Sequence, residues 1–240
     1  MKRAIIIGAS SGLGLEVAKI LLNDGWHIGI AARRSGLLLQ LKQQHPDSVD
    51  IETIDVTSAD APARLLQLVE RMGGMQLFFY ASGIGKQNRE LIEDIELNTV
   101  NTNALGFTRM IGAAYRYMAV NGGGHIAAIT SIAGTKGLGA APSYSATKAF
   151  QNTYLQSLSQ LSRMRRLNIS FTDIRPGFVD TALLSGTGNY PLLMHLESVA
   201  QSIVKAVYAK RHTVVIDWRW RIITVLWRLM PNSLWRIIRT

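Results

Sequence analysis

The chain contains no cysteine, which excludes disulfides, thiolate catalysis and cysteine-ligated zinc together. A reducing, cytoplasmic compartment is the expectation that fits such a composition. Histidine is sparse: His27, His45, His125, His195 and His212 are scattered without metal-like spacing, so no metal site is expected. No apolar run approaches the ~18 residues of a membrane-spanning helix. Met1-Lys2-Arg3 leads into an apolar run that stops at Gly8, too short for the core of a signal peptide and suited to a first strand. Acid is scarce relative to base: 26 Lys and Arg against 16 Asp and Glu give a formal charge of +10. Half of that excess lies in residues 218–240, where Arg219, Arg221, Arg228, Arg236 and Arg239 occur with no acid. Elsewhere the charges are mixed, without the clustered basic and aromatic run that a nucleic-acid surface needs. Nucleic acid is therefore not an expected partner.

What remains is a chain of 240 residues, 48% hydrophobic and 18% charged, enough for one large domain with a full core. Apolar, β-branched runs at 3–7, 27–32, 50–54, 76–81, 125–130, 168–174 and 213–216 read as strands. Helix-period segments separate them, at 12–22, 36–44, 59–72, 88–118, 143–164 and 198–209. Asn23-Asp24-Gly25, Gly73-Gly74 and residues 121–124 punctuate the gaps as stops and turns. This alternation predicts an α/β fold, a doubly wound Rossmann-type parallel sheet of seven strands with helices on both faces. Residues 1–217 read as a single domain. A basic, Trp/Arg-rich amphipathic tail follows at 218–240.

The first strand runs directly into Gly8-Ala9-Ser10-Ser11-Gly12-Leu13-Gly14, which opens a helix. Glycines at these positions permit a tight turn, close approach to a pyrophosphate and packing of helix on strand. The first helical amides then point at phosphate charge. Gly8, Ser10, Ser11, Gly12, Leu13 and Gly14 are the expected phosphate-binding segment. At the end of the second strand an acid would hold an adenosine 2′-hydroxyl, but the chain reads Ala31-Ala32-Arg33-Arg34. Two guanidiniums without a carboxylate suit a 2′-phosphate. Arg33 and Arg34 therefore point to NADP(H), with NAD(H) the alternative. Asp55, ahead of Val56 and Thr57, either accepts from an adenine amino group or caps the following helix.

Tyr144 and Lys148 lie four residues apart in Tyr144-Ser145-Ala146-Thr147-Lys148, one turn apart on one helix face. A phenol ionises near pH ~10, and an adjacent ammonium favours the phenolate, bringing proton exchange toward neutrality.

In this order the pieces resemble the single-domain short-chain dehydrogenases/reductases, from residue 2 to about residue 181. The resemblance rests on Gly8-x-x-x-Gly12-x-Gly14, Asp55-Val56, Asn103-Ala104-Leu105-Gly106, Ile129-Thr130-Ser131-Ile132-Ala133-Gly134, Tyr144-x-x-x-Lys148 and Arg175-Pro176-Gly177-Phe178-Val179-Asp180-Thr181. It implies a catalytic set of Asn103, Ser131, Tyr144 and Lys148. Tyr144 would be the acid/base at the reacting oxygen. Lys148 would lower its pKa and hold the nicotinamide ribose. Ser131 would hydrogen-bond the reacting oxygen, and Asn103 would hold a water relaying protons from Lys148 to solvent. Asn101 is the competing asparagine, but only Asn103 fits Asn-x-x-Gly. Pro176, Gly177, Val179 and Thr181 would line the nicotinamide. Asp55 and Val56 would serve the adenine, and Ala81, Ser82 and Gly83 the adenosine ribose. Ala81 stands where the family usually has an asparagine that braces neighbouring strands.

The resemblance puts a substrate lid at residues 182–197. Gly186, Gly188 and Pro191 suit a moving segment, and Leu183, Leu184, Tyr190, Leu192, Leu193 and Met194 either suit a bulky or apolar substrate or pack the lid onto the domain. A lipid-linked substrate is implied only by the likeness of the tail to those of family members that reduce membrane-borne, lipid-linked sugars. In the tail, Trp218, Trp220, Trp227 and Trp235 alternate with arginines, and Ile222, Ile223, Leu226, Leu229 and Met230 form an apolar face. Such a segment either lies on an anionic membrane surface at the inner face of the membrane or packs on the protein itself. The expected activity is hydride transfer between NADP(H) and a carbonyl or secondary alcohol, in a homodimer or homotetramer as the resemblance implies. The alternatives are an NADP(H)-binding sensor without catalysis and a membrane-recruited adaptor on the same fold. The complete Asn-Ser-Tyr-Lys set weighs against a sensor, which needs neither Ser131 nor Tyr144.

Overall fold

The computed structural model describes residues 1–184 and 190–238. The expectations for Gly186, Gly188, Arg239 and the Leu183 side chain lie outside the described residues.

Seven parallel strands form one sheet: β1 (Arg3–Ile7), β2 (His27–Ala32), β3 (Val49–Thr53), β4 (Leu77–Tyr80), β5 (Gly124–Ile129), β6 (Ile169–Arg175) and β7 (Thr213–Val215). Their order is β3-β2-β1-β4-β5-β6-β7. Apolar side chains run through the central strands because both faces are covered, and alternate residues feed opposite cores. Ile6, Ile28, Ile30 and Phe79 face α1 (Gly12–Asn23), α2 (Ser35–Gln44) and α7 (Leu196–Tyr208). Ile5, Ile7, Phe78 and Tyr80 face α3 (Ala61–Arg71), α5 (Phe107–Val120) and α6 (Pro142–Met164). Strand order reverses between β1 and β4, which opens a crevice at the carboxyl ends of those strands. That crevice positions the site.

The helix expected over 88–118 is three pieces: α4 (Glu93–Val100), a π-helical segment (Asn101–Gly106) and α5. The buried Asn88 amide delays its start, because Oδ1 accepts from Ile92 N (2.9 Å) while Nδ2 donates to Ile92 O (3.0 Å) and Glu96 Oε1 (2.8 Å). These bonds hold a turn before α4, with Leu91 at φ +53°.

The tail forms α8 (Trp218–Leu229) and a short α9 (Asn232–Trp235). Asp217 caps α8 by accepting from Arg219 N (2.8 Å), and it pairs with the Arg219 guanidinium (2.6 Å). Trp220 is 3% exposed and belongs to the core on the α1 and α7 side. An edge-to-face chain of rings joins Phe178 to Trp220 (5.5 Å), Trp220 to Trp227 (6.5 Å) and Trp227 to Trp235 (5.5 Å). Trp235 Nε1 donates to Gly137 O (2.7 Å), and Lys136 Nζ donates to Met230 O (3.0 Å) and Asn232 Oδ1 (2.7 Å). Three tryptophans therefore face inward and hold the tail against the body. Trp220→Ala should remove roughly 3 kcal/mol of stability, read as a fall of about 10 °C in Tm for a chain of this length. An unchanged Tm would contradict this anchoring role.

Candidate active site

The glycine turn is forced by backbone crowding at the switch point. Gly8 sits at φ +88°, and a Cβ there would stand 2.6 Å from Ser82 N, in the segment that follows β4. Gly8 N donates to Ala31 O (2.7 Å), tying the turn to the end of β2. Ala81, Ser82 and Gly83 thus lie against the turn. Leu13 packs into the core, and a Cβ on Gly14 would strike the Gly8 carbonyl.

Arg34 reaches back over the turn, donating from Nη2 to Ser10 Oγ (3.2 Å) and Ser11 Oγ (3.0 Å). Arg33 acts instead on Asp55. Burial pushes the Asp55 carboxyl up, but bonds from Thr57 N (2.9 Å) and Thr57 Oγ1 (2.7 Å) and the nearby Arg33 charge hold it below its ordinary value. Asp55 therefore closes a turn onto Thr57; the residue preceding α3 is Asp60. Val56 is buried beside Gly106, where a Cβ would stand 2.9 Å from Val56 Cγ2.

Ser131 begins a short 3-10 turn (Ile132–Thr135) after β5, and its Oγ accepts from Ala133 N (3.0 Å). The same side chain stands close enough to Tyr144, which α6 carries, to pull its pKa down. Tyr144 packs its ring on Gly85, where a Cβ would stand 2.7 Å from ring atom Cε2. Burial raises the Tyr144 pKa, and Ser131 offsets this only in part. The net result is the reverse of the expected lowering, because desolvation outweighs the groups that favour the phenolate. Lys148 Nζ lies over the ring face, 5.6 Å from the centroid, where its charge meets the π system. Tyr144 is thus a neutral phenol near pH ~7, the form that donates a proton. Burial lowers the Lys148 pKa to about 8 against the pull of Asp173, so the ammonium predominates at neutrality.

Asn103 sits in the π segment, fully buried, while Asn101 is exposed. Its amide brackets the backbone after β4, accepting from Ile84 N (2.9 Å) and donating to Ile84 O (2.7 Å), and it reaches Thr147 Oγ1 (3.3 Å). Asn103 thus braces the loop that contacts the glycine turn. Its backbone carbonyl accepts from Gln151 Nε2 (2.8 Å). Gln151 Oε1 in turn accepts from Lys148 Nζ (3.0 Å). Sequence reasoning passed over Gln151; the signal was a polar residue three positions beyond Lys148 on the same helix face.

Residues 176–181 close the site. Pro176 O accepts from Ile132 N (3.2 Å), and Val179 is buried and bridges to Met194. Thr181 Cγ2 lies 3.7 Å from where a Gly12 Cβ would be. The segment thus spans from the Ser131 turn to the glycine turn. A Cβ on Gly177 would collide with the Trp220 indole, a link between tail and site that the sequence did not signal. Tyr190 stacks obliquely on Phe178 (5.0 Å), so this flank of the expected lid packs on the domain. A cavity of ≈ 500 Å³ lies between the segment after β5 and the start of α6, lined by Gly134, Lys136, Gly139, Ser145 and Ala149 among others.

These residues fit a dinucleotide. The glycine turn is a cradle that Cβ atoms would fill, and Ser11 offers no side-chain cap to the first amides of α1. Arginine stands over the turn, and a phenol, a hydroxyl and an ammonium converge at the far end of the crevice.

A family model described as short chain dehydrogenase matches residues 2–189. An uncharacterized oxidoreductase of Myxococcus xanthus (strain DK1622) is 30% identical over 241 residues, covering 97% of this chain and 94% of its own. One from Mycobacterium tuberculosis (strain H37Rv) is 26% identical over 242 residues, covering 96% and 95%. Among solved structures, an alcohol dehydrogenase of the archaeon Thermococcus sibiricus complexed with 5-hydroxy-NADP superposes with a TM-score of 0.77. It is 23% identical and is covered over 90% of this chain and 96% of its own. A variant of actinorhodin polyketide ketoreductase with NADPH gives the same TM-score and identity, over 90% and 95%. At that identity the solved structures speak for the fold alone, while the family model and the Myxococcus relative speak for descent. This chain is an oxidoreductase of the short-chain dehydrogenase family.

Proposed function

We propose that the protein transfers hydride between NADP(H) and a carbonyl or secondary alcohol, with Tyr144 as the acid/base. The observation that carries this reading is that a desolvated Tyr144 has Ser131 beside it and the Lys148 ammonium over its ring. When bound, the nicotinamide supplies or accepts the hydride. In reduction, neutral Tyr144 gives its proton to the substrate oxygen, and Ser131 donates to the same oxygen as charge develops. The Lys148 ammonium stabilises the phenolate that remains. In oxidation the same groups act in reverse. Asn103 acts by position, holding the loop after β4 in register with the turn.

Preference for NADP(H) over NAD(H) is supported by Arg33 and Arg34, with no acid at the end of β2. The apolar flank at Leu192 and Leu193 suits a bulky, apolar carbonyl. Homodimeric or homotetrameric assembly follows from the family resemblance. The test is NADPH consumption against steroid, acyl, sugar and quinone-like carbonyls. At least one class should be reduced stoichiometrically, and tight NADPH binding without turnover would favour a sensor.

The outer face of α8 supports contact with an anionic membrane surface from the cytoplasmic side. Among the described residues no helix is long and apolar enough to cross a membrane. The tryptophans turn inward, but Trp218, Ile222, Val225, Leu226 and Leu229 share one exposed face, with Leu229 75% exposed. Arg221 and Arg228 flank that face, and residues 218–240 contain five arginines and no acid. A second copy packed on this face would set arginine against arginine, whereas anionic headgroups complement it. Leu226→Asp with Leu229→Asp should abolish co-sedimentation with vesicles containing phosphatidylglycerol and leave turnover of soluble carbonyls intact. Equal sedimentation with neutral phosphatidylcholine vesicles, or a change only in oligomeric state, would overturn the lipid reading.

A further inference from the structure

We propose that Gln151 is the positioning residue for Lys148: an amide link that ties its ammonium to the Asn103 carbonyl. The inference rests on the Tyr144–Lys148 reading above.

Four observations carry it. Gln151 is fully buried, so its amide must find partners within the protein. It stands between two groups of opposite polarity, Lys148 Nζ at 3.0 Å and Asn103 O at 2.8 Å. An ammonium only donates and a carbonyl only accepts, so one amide orientation alone satisfies both: oxygen toward Lys148, nitrogen toward Asn103. Among the described residues the other acceptor for Nζ is Ile129 O at 3.3 Å, a longer bond. Gln151 is therefore the shorter of two anchors for a buried charge.

The acceptor side is built as well. Asn103 lies in the π-helical segment, and such segments recur at functional sites. Its side chain is held by Ile84 and Thr147. The carbonyl that receives Gln151 is thus fixed on one side by the loop after β4 and on the other by α6. Lys148 is held by two backbone carbonyls, Ile129 directly and Asn103 through the amide.

The amide accepts from Lys148 and donates to Asn103, so the link fixes the charge and its geometry. The titratable groups facing Lys148 are Tyr144 on its own helix and Asp173 on β6. Asp173 is bonded to the Arg175 guanidinium and to Thr130 Oγ1. The π segment and the turn after β5 present no titratable side chain to it, only Asn103 and Ser131.

The test compares wild type, Gln151→Leu and Gln151→Glu in two readouts. The first is an NMR titration of the Lys148 side chain in protein carrying ¹³C-labelled lysine, which needs no turnover. Gln151→Glu keeps shape and places a carboxylate on Nζ, so the Lys148 titration should move up by about one pH unit or more. Gln151→Leu removes the anchor, so it should move down by a similar amount. The second readout is the alkaline limb of the kcat profile for NADPH-dependent carbonyl reduction, which should follow in the same two directions. A residue that merely packs would lower kcat or Tm in both variants and move neither titration nor limb. If Gln151→Leu does not fold, the isosteric Gln151→Glu alone decides. Unmoved titrations in folded variants would overturn the proposal. Moved titrations in a protein that reduces no carbonyl would sink the activity reading and leave the Lys148 anchor standing.

Discussion

Tyr144→Phe should reduce carbonyl turnover by about 10³-fold or more, the range for removing a positioned general acid, while NADPH affinity stays within about threefold. The asymmetry follows from what the substitution keeps. The ring still packs on Gly85 and still presents its face to the Lys148 ammonium. Only the hydroxyl goes. Ser131 retains its bond from Ala133 N, so its place at the end of β5 is unaffected. Ser131 alone offers a hydrogen bond but no proton that Lys148 helps to release. Stopped-flow hydride transfer and equilibrium NADPH fluorescence separate the two effects. Retained turnover would remove Tyr144 from the acid/base role, and a matching loss of NADPH affinity would mean that the variant disturbs the whole crevice.

The second large effect concerns the two arginines after β2, which do different work. Arg33 lies near Asp55 and makes no hydrogen bond to the glycine turn, whereas Arg34 bonds both turn serines. Losing a charge-assisted bond to phosphate is worth about 1.5–3 kcal/mol, or about 10- to 100-fold in affinity. Arg33→Ala should therefore weaken NADPH by about that factor and leave NADH nearly unchanged. Arg34→Ala should weaken NADPH as strongly and also cost NADH a few-fold, because Ser10 and Ser11 lose the guanidinium that steadies the turn. Isothermal titration with both cofactors reads the difference. Equal losses of NADPH and NADH in Arg33→Ala would refute recognition of a 2′-phosphate.

Much of this was legible in the residues, and the exceptions have physical causes. The strands of a parallel sheet are buried on both sides, so β1, β2 and β5 announce themselves as apolar runs bounded by turns. The glycine turn is legible because its backbone geometry excludes side chains. The break before α4 is not, because an apolar helical period continues through it. What stops the helix is the Asn88 amide capturing Ile92 on both sides. The π segment is equally silent, since one extra residue in a turn barely disturbs a 3.6-residue period.

The tail illustrates a different limit. Its Trp/Arg pattern marks an amphipathic helix, but pattern alone does not say which apolar residues meet the body. Phe178 and Gly177 decide it, accepting Trp220 and leaving Ile222, Leu226 and Leu229 outward. The lowered Tyr144 pKa failed as an expectation for a similar reason. Sequence spacing puts Lys148 one turn away, but only three dimensions put its ammonium over the ring and the whole pair in a desolvating pocket. Gln151 was visible as a residue and invisible as a partner, because its acceptor lies on another helix.

The central claim is that a hydride passes directly between nicotinamide and a carbonyl carbon at the Tyr144 site. NADPH deuterated on its reactive nicotinamide carbon, incubated with the wild-type enzyme and a carbonyl that it reduces, tests this most directly. Mass spectrometry of the alcohol should find one deuterium on the new carbinol carbon, with none taken from deuterated solvent at that position. Binding of the labelled cofactor without any labelled alcohol across the four carbonyl classes would contradict it.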